Sequence, residues 1–329
     1  MFNAVRSVVL QTFGDWDLIV VGQGDADALG AETRRAAAGD PRVRYVHLDR
    51  RGASAARNAG ADRSIGEIVV FMDDDCEARQ DWLATIDKCF TDDIGLVGGA
   101  VEAPPKDHAL FAVCPWMIPP DTIYIPQDSD GILPQGSHVL SANMAVRRKD
   151  FEYVGGFDEC LGTGSGFGGG EEHDLVLRLA RRRVQIRTTP DSVVCHSGGY
   201  RYGLRSVYSH RRDRLRGDGA LAGKWALLTS DGAVTDIRAK VWSEARTQLG
   251  TIRIRQLPMG ALRVFHYLNS YRECLMGYTV CMAPSADPAT AVLRRLSADP
   301  LIGTRTRLAD TPNDKVGATQ YTMPSHPTR

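Results

Sequence analysis

Several features that would assign this chain to a common class of protein are missing. Of its 329 residues, 40 are basic and 40 acidic, so it lacks the positive excess with which nucleic-acid-binding proteins neutralise phosphates. No run of roughly eighteen apolar residues, the length of a membrane span, occurs. The most apolar late stretch, residues 257–283, is interrupted by charged side chains. We therefore predict neither a nucleic-acid partner nor a transmembrane helix.

Cysteine usage and the amino terminus bear on location. The seven cysteines are odd in number, scattered, and never spaced C-x-x-C, which disfavours both disulfides and a structural zinc site. Residues 1–10 carry one arginine and too short an apolar stretch for a signal peptide. These features indicate a cytoplasmic protein with reduced thiols.

Helical and extended patterns alternate along the first hundred residues. This alternation predicts βαβ units, and hence an α/β fold with a parallel or mixed sheet and helices on both faces. The strand predicted at 68–72 is a continuous apolar run, which is typical of a strand covered on both faces. The predicted helices lie at 4–13, 25–38, 54–61 and 82–90, and the other predicted strands at 18–21, 43–48 and 94–101.

The second part of the chain is more irregular. Prolines crowd residues 103–134, so we predict a long loop without regular structure there. Beyond it we predict strands at 140–146, 184–188 and 193–195, helices at 149–154 and 171–182, and a glycine-dense loop at 162–170.

Composition also suggests a division into domains. We predict a main domain over residues 1–200, a basic and weakly helical extension over 201–285, and a partly disordered tail over 286–329. The basic, aromatic stretch 200–216 is a candidate lid over phosphates or a peripheral contact with anionic lipid. A solvated helix face is the alternative.

Three carboxylates, Asp73, Asp74 and Asp75, follow the strand at 68–72 directly. In open α/β sheets ligands bind at the carboxyl ends of the strands. If the segment stays extended, Asp73 and Asp75 point the same way and can converge on one hard cation. The alternative is a solvated acidic turn, but adjacent like charges cost free energy unless a cation offsets them. The position of the three aspartates at the carboxyl end of a buried strand favours a metal-linked or phosphate-linked site.

A second acidic pair, Glu171 and Glu172, opens the helix predicted at 171–182. Acidic residues in a first helical turn often serve only the helix dipole. The functional alternative is that the preceding glycines let a backbone pack closely while one glutamate acts as a general base. The spacing of Asp174 and Arg178 predicts a surface ion pair.

Two weaker signals lie nearby. The glycines at 164, 166 and 169 match G-x-G-x-x-G, but they do not directly follow a strand, which disfavours a dinucleotide site and a nicotinamide-dependent oxidoreductase. His196 follows the extended segment 193–195 and is either a structural histidine or a third metal ligand.

Seven short motifs follow one another over about 200 residues. They are SVVLQTF (7–13), DLIVV (17–21), GASAARNAG (52–60), GEIVVFMDDD (66–75), SANMA (141–145), GGFDE (155–159) and GEEHDL (170–175). Together they resemble the GT-A glycosyltransferases of family 2, which have a Rossmann-like sheet and transfer a sugar from a nucleotide-diphosphate donor with inversion. The last third of the chain carries no such match.

The resemblance implies roles for individual residues. Asp73 and Asp75 would form the D-x-D pair that holds Mn²⁺ or Mg²⁺ against the donor diphosphate, with Asp75 the stronger ligand. Asp74 and Arg57 would lie against the nucleotide. His196 is similar to the late histidine that many GT-A enzymes add to the metal or diphosphate.

The family's acidic pair falls on Glu171 and Glu172, which implies that Glu172 deprotonates the acceptor hydroxyl. Two departures stand beside this match. The family opens with a strand before the first helix, whereas this chain begins in that helix, which implies either a late start codon or loss of part of the donor site. Where the family usually has two aspartates that read the base, this chain has Gln23 and Asp25 as candidates.

The sequence therefore predicts an inverting, metal-dependent glycosyltransferase. Its partners would be a nucleotide-diphosphate sugar and a hydroxyl-bearing acceptor, such as a polysaccharide, a lipid-linked acceptor or a natural product. The alternative is a noncatalytic nucleotide-sugar-binding or scaffold protein, a degenerate relative.

Overall fold

The computed structural model describes residues 1–103, 117–126, 139–197, 202–228, 245–246, 257–282 and 287–296. Residues 1–296 form one compact unit. Most of the proline-rich segment 103–134 and the last part of the predicted tail, 297–329, lie outside the described residues.

The predicted alternation of helices and strands over the first hundred residues is confirmed, with ends that move by a few residues. The helix predicted at 4–13 spans residues 2–9 instead, and the short strand after the three aspartates was not predicted. The elements are α1 (Phe2–Val9), β1 (Leu18–Gly22), α2 (Ala26–Ala37), β2 (Val43–His47), α3 (Ala53–Ala61), β3 (Ile68–Phe71), β4 (Cys76–Ala78), α4 (Trp82–Cys89) and β5 (Ile94–Glu102).

The second part of the chain differs more from expectation. A short strand lies inside the predicted loop, a 3-10 turn at Ser141–Asn143 replaces the start of a predicted strand, and the two predicted extended pieces form one strand. The elements are β6 (Thr122–Tyr124), β7 (Met144–Arg147), α5 (Arg148–Tyr153), α6 (Glu171–Arg181), β8 (Gln185–His196), α7 (Leu204–Leu228), α8 (Leu257–Gly277), β9 (Tyr278–Cys281) and β10 (Val292–Arg295).

Two sheets carry the site. β1 and β2 pair in parallel as a two-stranded sheet, and a larger sheet has the order β3-β7-β5-β8-β4, with β6 also paired to β8. β5 and β8 are parallel, whereas β7 runs antiparallel to both of its neighbours. The larger sheet is therefore mixed. β9 and β10 form a separate antiparallel pair, and β10 lies within the predicted tail.

Apolar side chains cover the larger sheet on both faces. One cluster contains Phe71, Phe151 and Phe157 with residues of α6, and the other contains Trp82 and Ile86 of α4. The ring centroid of Phe71 lies 5.4 Å from that of Phe151 and 5.1 Å from that of Phe157. Such aromatic pairs contribute about 0.5–1.5 kcal/mol each beyond the area they bury. The strand end that carries the three aspartates is thus held by a packed core.

The helix α7 is joined to α6 by a buried ionic network, and this corrects the prediction that Asp174 and Arg178 form a surface pair. Both side chains are fully buried. Arg178 donates to Asp174 at 2.8 Å and to the carbonyls of Val154 and Gly156. Helical spacing identified the pair, but the chain segment that covers it comes from far along the sequence.

Lys224 of α7 completes the network. Its ammonium lies 2.9 Å from Asp158 and 2.6 Å from Asp174, the latter as an ion pair without hydrogen-bond alignment. Lys224 is 0% exposed, and these two carboxylates offset its buried charge. Among the described helices, none combines the length and apolarity that a membrane span requires.

We predict that Lys224→Met destabilises the protein by about 3–5 kcal/mol, because methionine keeps the volume but leaves the buried Asp158 without its cation and Asp174 with Arg178 alone. Urea denaturation measures the loss. The matched control is Lys88→Met, at an exposed lysine of α4, for which a change within about 0.5 kcal/mol is expected. Equal effects of the two substitutions would contradict this account of the network.

Candidate active site

A cavity of about 370 Å³ opens at the carboxyl ends of β1 and β3. The turn after β1, the start of α3, the acidic turn after β3 and the glycine-dense loop all contribute to its wall. Its lining residues are Gln23, Arg51, Gly52, Ala53, Ala56, Arg57, Met72, Asp73, Asp74, Thr163 and Gly164. A cavity at this edge of the sheet agrees with the rule that open α/β folds bind ligands at the carboxyl ends of their strands.

Arg57 joins the two acidic motifs. Its guanidinium donates to Asp73 at 2.8 Å and to Glu171 at 3.2 Å. Its side chain is only 13% exposed. Burial lowers the pKa of Arg57, but the negative charges of Asp73 and Glu171 outweigh burial, so the pKa lies above its usual value. Arg57 thus remains a cation between two carboxylates that lie 98 positions apart in the sequence.

Glu171 is the buried member of its pair. Burial, followed by the neighbouring charge of Glu172, raises the pKa of Glu171 to about 7, although Arg57 acts in the opposite direction. Its side chain is 6% exposed. Glu171 therefore changes protonation state near neutral pH while in contact with Arg57.

Glu172 is only half-buried, and it accepts a hydrogen bond from the Ser141 hydroxyl at 3.1 Å. Ser141 lies in the 3-10 turn that leads into β7, where it is buried. Ser141 is part of the SANMA motif, but the sequence alone predicted no role for it. The signal that could have found it was a small polar residue at the start of a strand paired with β3.

Asp75 and His196 lie together at the paired ends of β4 and β8. The imidazole Nε2 is 3.1 Å from an Asp75 oxygen. The Cys76 sulfur belongs to the same group, whose ligand atoms all lie within 4.8 Å of one another. Ser197 supports this end of the strands by donating to the Asp75 carbonyl and to the carboxylate of Glu77.

Cys76 was not predicted as a site residue, although it follows Asp75 in the sequence. Burial, followed by the charges of Asp73 and Asp75, raises the pKa of Cys76. The thiol is therefore protonated at neutral pH. Of the three neighbouring groups, Asp75 and His196 are the ones with lone pairs suited to a divalent cation. Asp73, the other predicted ligand, accepts a hydrogen bond from Arg57.

The remaining predicted donor-binding residues separate into two groups. Gln23 and the exposed Asp74 line the cavity. The Gln23 amide exchanges hydrogen bonds with the backbone of Gly52, at 2.9 and 3.3 Å, and so holds the turn after β1 against the start of α3. Asp25 caps the amino terminus of α2 by accepting from Ala28, and it is not among the described residues that line the cavity.

The glycine-dense loop is held in place by α7. Gly170 precedes Glu171 with φ 90°, a conformation that favours glycine. A Cβ on Gly217 of α7 would overlap the backbone of Gly169. Arg216 also donates to the carbonyl of Gly166 at 3.2 Å. The loop, and with it the start of α6, is thus fixed by backbone contact with α7.

Comparison with known families tests the resemblance. The family model for glycosyl transferase family 2 matches residues 3–155, which include Arg57 and the three aspartates. Residues 3–155 belong to glycosyl transferase family 2. The α/β fold with a mixed sheet agrees with the GT-A fold that the sequence motifs implied. Glu171, Glu172 and His196 lie beyond the matched segment.

Curated relatives are similar over parts of their length. The glycosyltransferase GlyA of Streptococcus pneumoniae serotype 4 is 34% identical over 86 residues, which are 26% of this chain and 12% of that protein. The pre-mycofactocin glycosyltransferase of Mycobacterium tuberculosis is 28% identical over 182 residues, 54% of this chain and 37% of that protein. The chain therefore spans well under two thirds of the length of these relatives.

Among solved structures, the crystal structure of Staphylococcus aureus TarS residues 1–349 has 12% sequence identity and a TM-score of 0.49. The match covers 86% of this chain and 90% of that one.

The raised pKa of Glu171 predicts a pH dependence of stability. Its carboxyl binds a proton more tightly in the folded chain, with a pKa of about 7, than at its ordinary value of 4.5. Folding therefore takes up a proton between these values, and the free energy of unfolding falls as pH rises through them. Glu171→Gln removes this contribution, which is on the order of 2 kcal/mol between about pH 5 and pH 8.

Urea denaturation of the unchanged protein and of Glu171→Gln, each at about pH 5 and pH 8, measures this difference in the free energy of unfolding. The control is Glu102→Gln, at an exposed carboxylate at the end of β5, which should keep the pH slope of the unchanged protein. The same slope in Glu171→Gln would show that Glu171 does not titrate in this range.

Proposed function

We propose that this chain is an inverting, metal-assisted glycosyltransferase that moves a sugar from a nucleotide-diphosphate donor to a hydroxyl group. The observation that carries the proposal is the Arg57 bridge. It brings the acidic turn after β3, at the cavity, into contact with the first turn of α6, where the candidate base lies. A donor and a proton acceptor can thus be presented to one reaction centre.

The donor would occupy the cavity at the ends of β1 and β3. Arg57 supplies a fixed cation in its wall, and guanidinium groups form strong charge-assisted hydrogen bonds with phosphate oxygens. Gln23 and the backbone around Gly52 offer amide groups to a base or ribose. Asp74 is exposed at the same rim and can accept from a sugar hydroxyl.

Asp75 and His196 fit a divalent cation, since a carboxylate oxygen and an imidazole nitrogen lie 3.1 Å apart in a group that also includes the buried thiol. Carboxylates suit Mg²⁺ and Mn²⁺, whereas imidazole suits Mg²⁺ less well, so the pair favours Mn²⁺. A bound cation would supply positive charge to offset the charge that develops on the departing diphosphate.

Glu172 is the better candidate for the base. Glu171 is buried and held by Arg57, whereas Glu172 is half-exposed and accepts from a neutral hydroxyl. In a single displacement the acceptor oxygen forms a bond to the anomeric carbon while the bond to the diphosphate oxygen breaks. The acceptor proton passes to Glu172, and the configuration inverts because attack and departure are on opposite sides.

The acceptor class is proposed from chemistry alone, as a hydroxyl on a polysaccharide, a lipid-linked acceptor or a natural product. A noncatalytic relative would be expected to lose either the candidate base or the candidate ligand pair. The presence of Glu172 beside Ser141 and of Asp75 beside His196 supports the enzyme over this alternative. Contact of the stretch 200–216 with a membrane remains a proposal, supported by the exposed side chains of Tyr202 and Leu204 next to its arginines.

The metal assignment predicts that Asp75→Asn weakens Mn²⁺ binding at least tenfold, because loss of a ligand should cost no less than the roughly 10–100-fold seen for outer-shell partners. Titration followed by the electron paramagnetic resonance of free Mn²⁺ measures the affinity directly. Asp62→Asn, at an exposed aspartate after α3, is the control and should bind Mn²⁺ normally. Unchanged affinity in Asp75→Asn would place the cation elsewhere.

The base assignment predicts that Glu172→Gln lowers kcat of sugar transfer or donor hydrolysis by about 10²–10⁴-fold. Donor affinity should be retained, because Glu172 does not line the donor cavity. A panel of nucleotide sugars with Mn²⁺ identifies the donor, and calorimetry measures its binding. Glu152→Gln, at an exposed glutamate of α5, should retain full activity. Normal turnover in Glu172→Gln would transfer the role to another group.

A further inference from the structure

Helix α7 meets the start of α6 beside the candidate base. A Cβ on Gly170 would lie 3.0 Å from the carbonyl oxygen of Gly217, and Glu172 follows Gly170 by two positions. On its other side α7 packs closely on α8, since a Cβ on Gly219 would overlap the backbone of that helix. Asp218 stands between these two glycines in the sequence. It therefore lies where α7 contacts both the first turn of α6 and α8.

Charged side chains from three helices act on Asp218. They are Glu172 and His173 of α6, Arg214 of α7 and Arg263 of α8. Arg214 precedes Asp218 by one helical turn, so the two side chains share a face of α7. We call these residues, together with Asp218, the α7 cluster. None of them is among the described residues that line the donor cavity. The cluster is thus next to the candidate base but outside the donor site.

The carboxylate of Asp218 lacks a partner of its own. It is half-buried, and within the described part of the chain it makes neither a hydrogen bond nor an ion pair. Burial raises the pKa of Asp218, although the positive charges of His173, Arg214 and Arg263 act in the opposite direction. A carboxylate that is partly removed from water and unpaired opposes folding. Stability given up beside a reaction centre is typical of a residue kept for binding.

An acceptor sugar supplies the donor that Asp218 lacks. An ionised carboxylate can only accept hydrogen bonds, and a hydroxyl donates one without adding charge. A sugar ring carries hydroxyls on neighbouring carbons, so one can donate to Glu172 while the next donates to Asp218. The guanidinium groups of Arg214 and Arg263 are exposed, and they can donate to the remaining sugar oxygens. An alcohol with one hydroxyl would leave Asp218 unpaired, and sites that bind a hydroxyl discriminate strongly against molecules without it.

We propose that Asp218 binds the acceptor, by accepting a hydrogen bond from the hydroxyl next to the one that Glu172 deprotonates. The reacting part of the acceptor is therefore a sugar ring, whether it is free, within a polysaccharide or lipid-linked. This inference rests on the proposed transfer of a sugar to a hydroxyl group. Asp218 takes no proton in the reaction, so its contribution is to acceptor affinity and the role of base stays with Glu172.

The kinetic test uses the full chain with the donor that the nucleotide-sugar panel identifies. Methyl glycosides of glucose, galactose and mannose are the sugar probes, and cyclohexanol is the ring with one hydroxyl. We expect transfer to at least one glycoside and none to cyclohexanol. Asp218→Ala should raise KM for that glycoside at least about tenfold, because a charge-assisted hydrogen bond is lost. The kcat of transfer should stay within roughly threefold, and donor hydrolysis without acceptor should be unchanged.

The matched control is Asp213→Ala, which removes the same charge from the same helix. The carboxylate of Asp213 is paired with Arg212 at 2.8 Å, and we expect KM for the glycoside to be unchanged. Urea denaturation at pH 7 tests for a structural role of Asp218. Because burial raises its pKa, its ionised form opposes folding, so Asp218→Ala should be at least as stable as the unchanged protein. A loss of stability, or equal KM changes in the two variants, would overturn the proposal.

Saturation-transfer NMR of the same glycosides measures binding without turnover. We expect a signal with the unchanged protein and with Asp213→Ala, and its loss with Asp218→Ala. Loss of the signal in a protein that neither hydrolyses nor transfers any donor would support the acceptor site and contradict the proposed function. Transfer to cyclohexanol as readily as to the glycosides, no binding of any glycoside, or full binding in Asp218→Ala would overturn the role of Asp218. Those results would leave the glycosyltransferase proposal standing.

Discussion

The candidate site depends on one charge interaction, the placement of the Arg57 guanidinium between Asp73 and Glu171. Several carboxylates are gathered at one end of the sheet, and like charges at such distances raise one another's pKa values unless a cation lies among them. Arg57 is that cation, and its small exposure strengthens its effect. Because Asp73 follows β3 and Glu171 begins α6, the same contact fixes the distance between the two halves of the site.

A second cation has a comparable role further inside. Lys224 neutralises Asp158 and Asp174, and Asp174 lies one helical turn after Glu171. The helix that carries the candidate base is thus held at its start by Arg57 and along its buried face by a lysine from α7. Breaking a buried pair costs far more than forming it contributes, so this arrangement specifies position more than it adds stability.

Much of the fold could be predicted from the sequence because its strands are short apolar runs next to turn residues. The run at 68–72 and the aspartates after it placed the site at the correct sheet edge. The prediction for 184–195 divided one strand into two, and the gap between the two pieces contains Pro190, a residue that rarely occurs inside strands. In the structure the register of β8 against β5 shifts between Thr188 and Val193, and this irregularity accommodates the proline.

Other features of the site could not be predicted from local patterns. The burial of Asp174 depends on a lysine 50 positions later in the sequence, and the partner of Glu172 is a serine 31 positions earlier. Spacing within one helix shows which side chains share a face, but not which distant segment covers it. The hydrogen bond from Arg57 to Asp73 depends on where α3 lies relative to β3, which no local pattern specifies.

The contact of Gly217 with Gly169 concerns more than local packing. Two glycines on separate segments meet here, and a Cβ on Gly217 would overlap the backbone of Gly169, whereas a Cβ on Gly169 would meet only ordinary contacts. The helix that follows the family 2 segment therefore needs a glycine where it crosses the loop before the candidate base. Chimeras of related chains should keep both segments from one parent, since a junction near residue 200 would separate two surfaces shaped to each other.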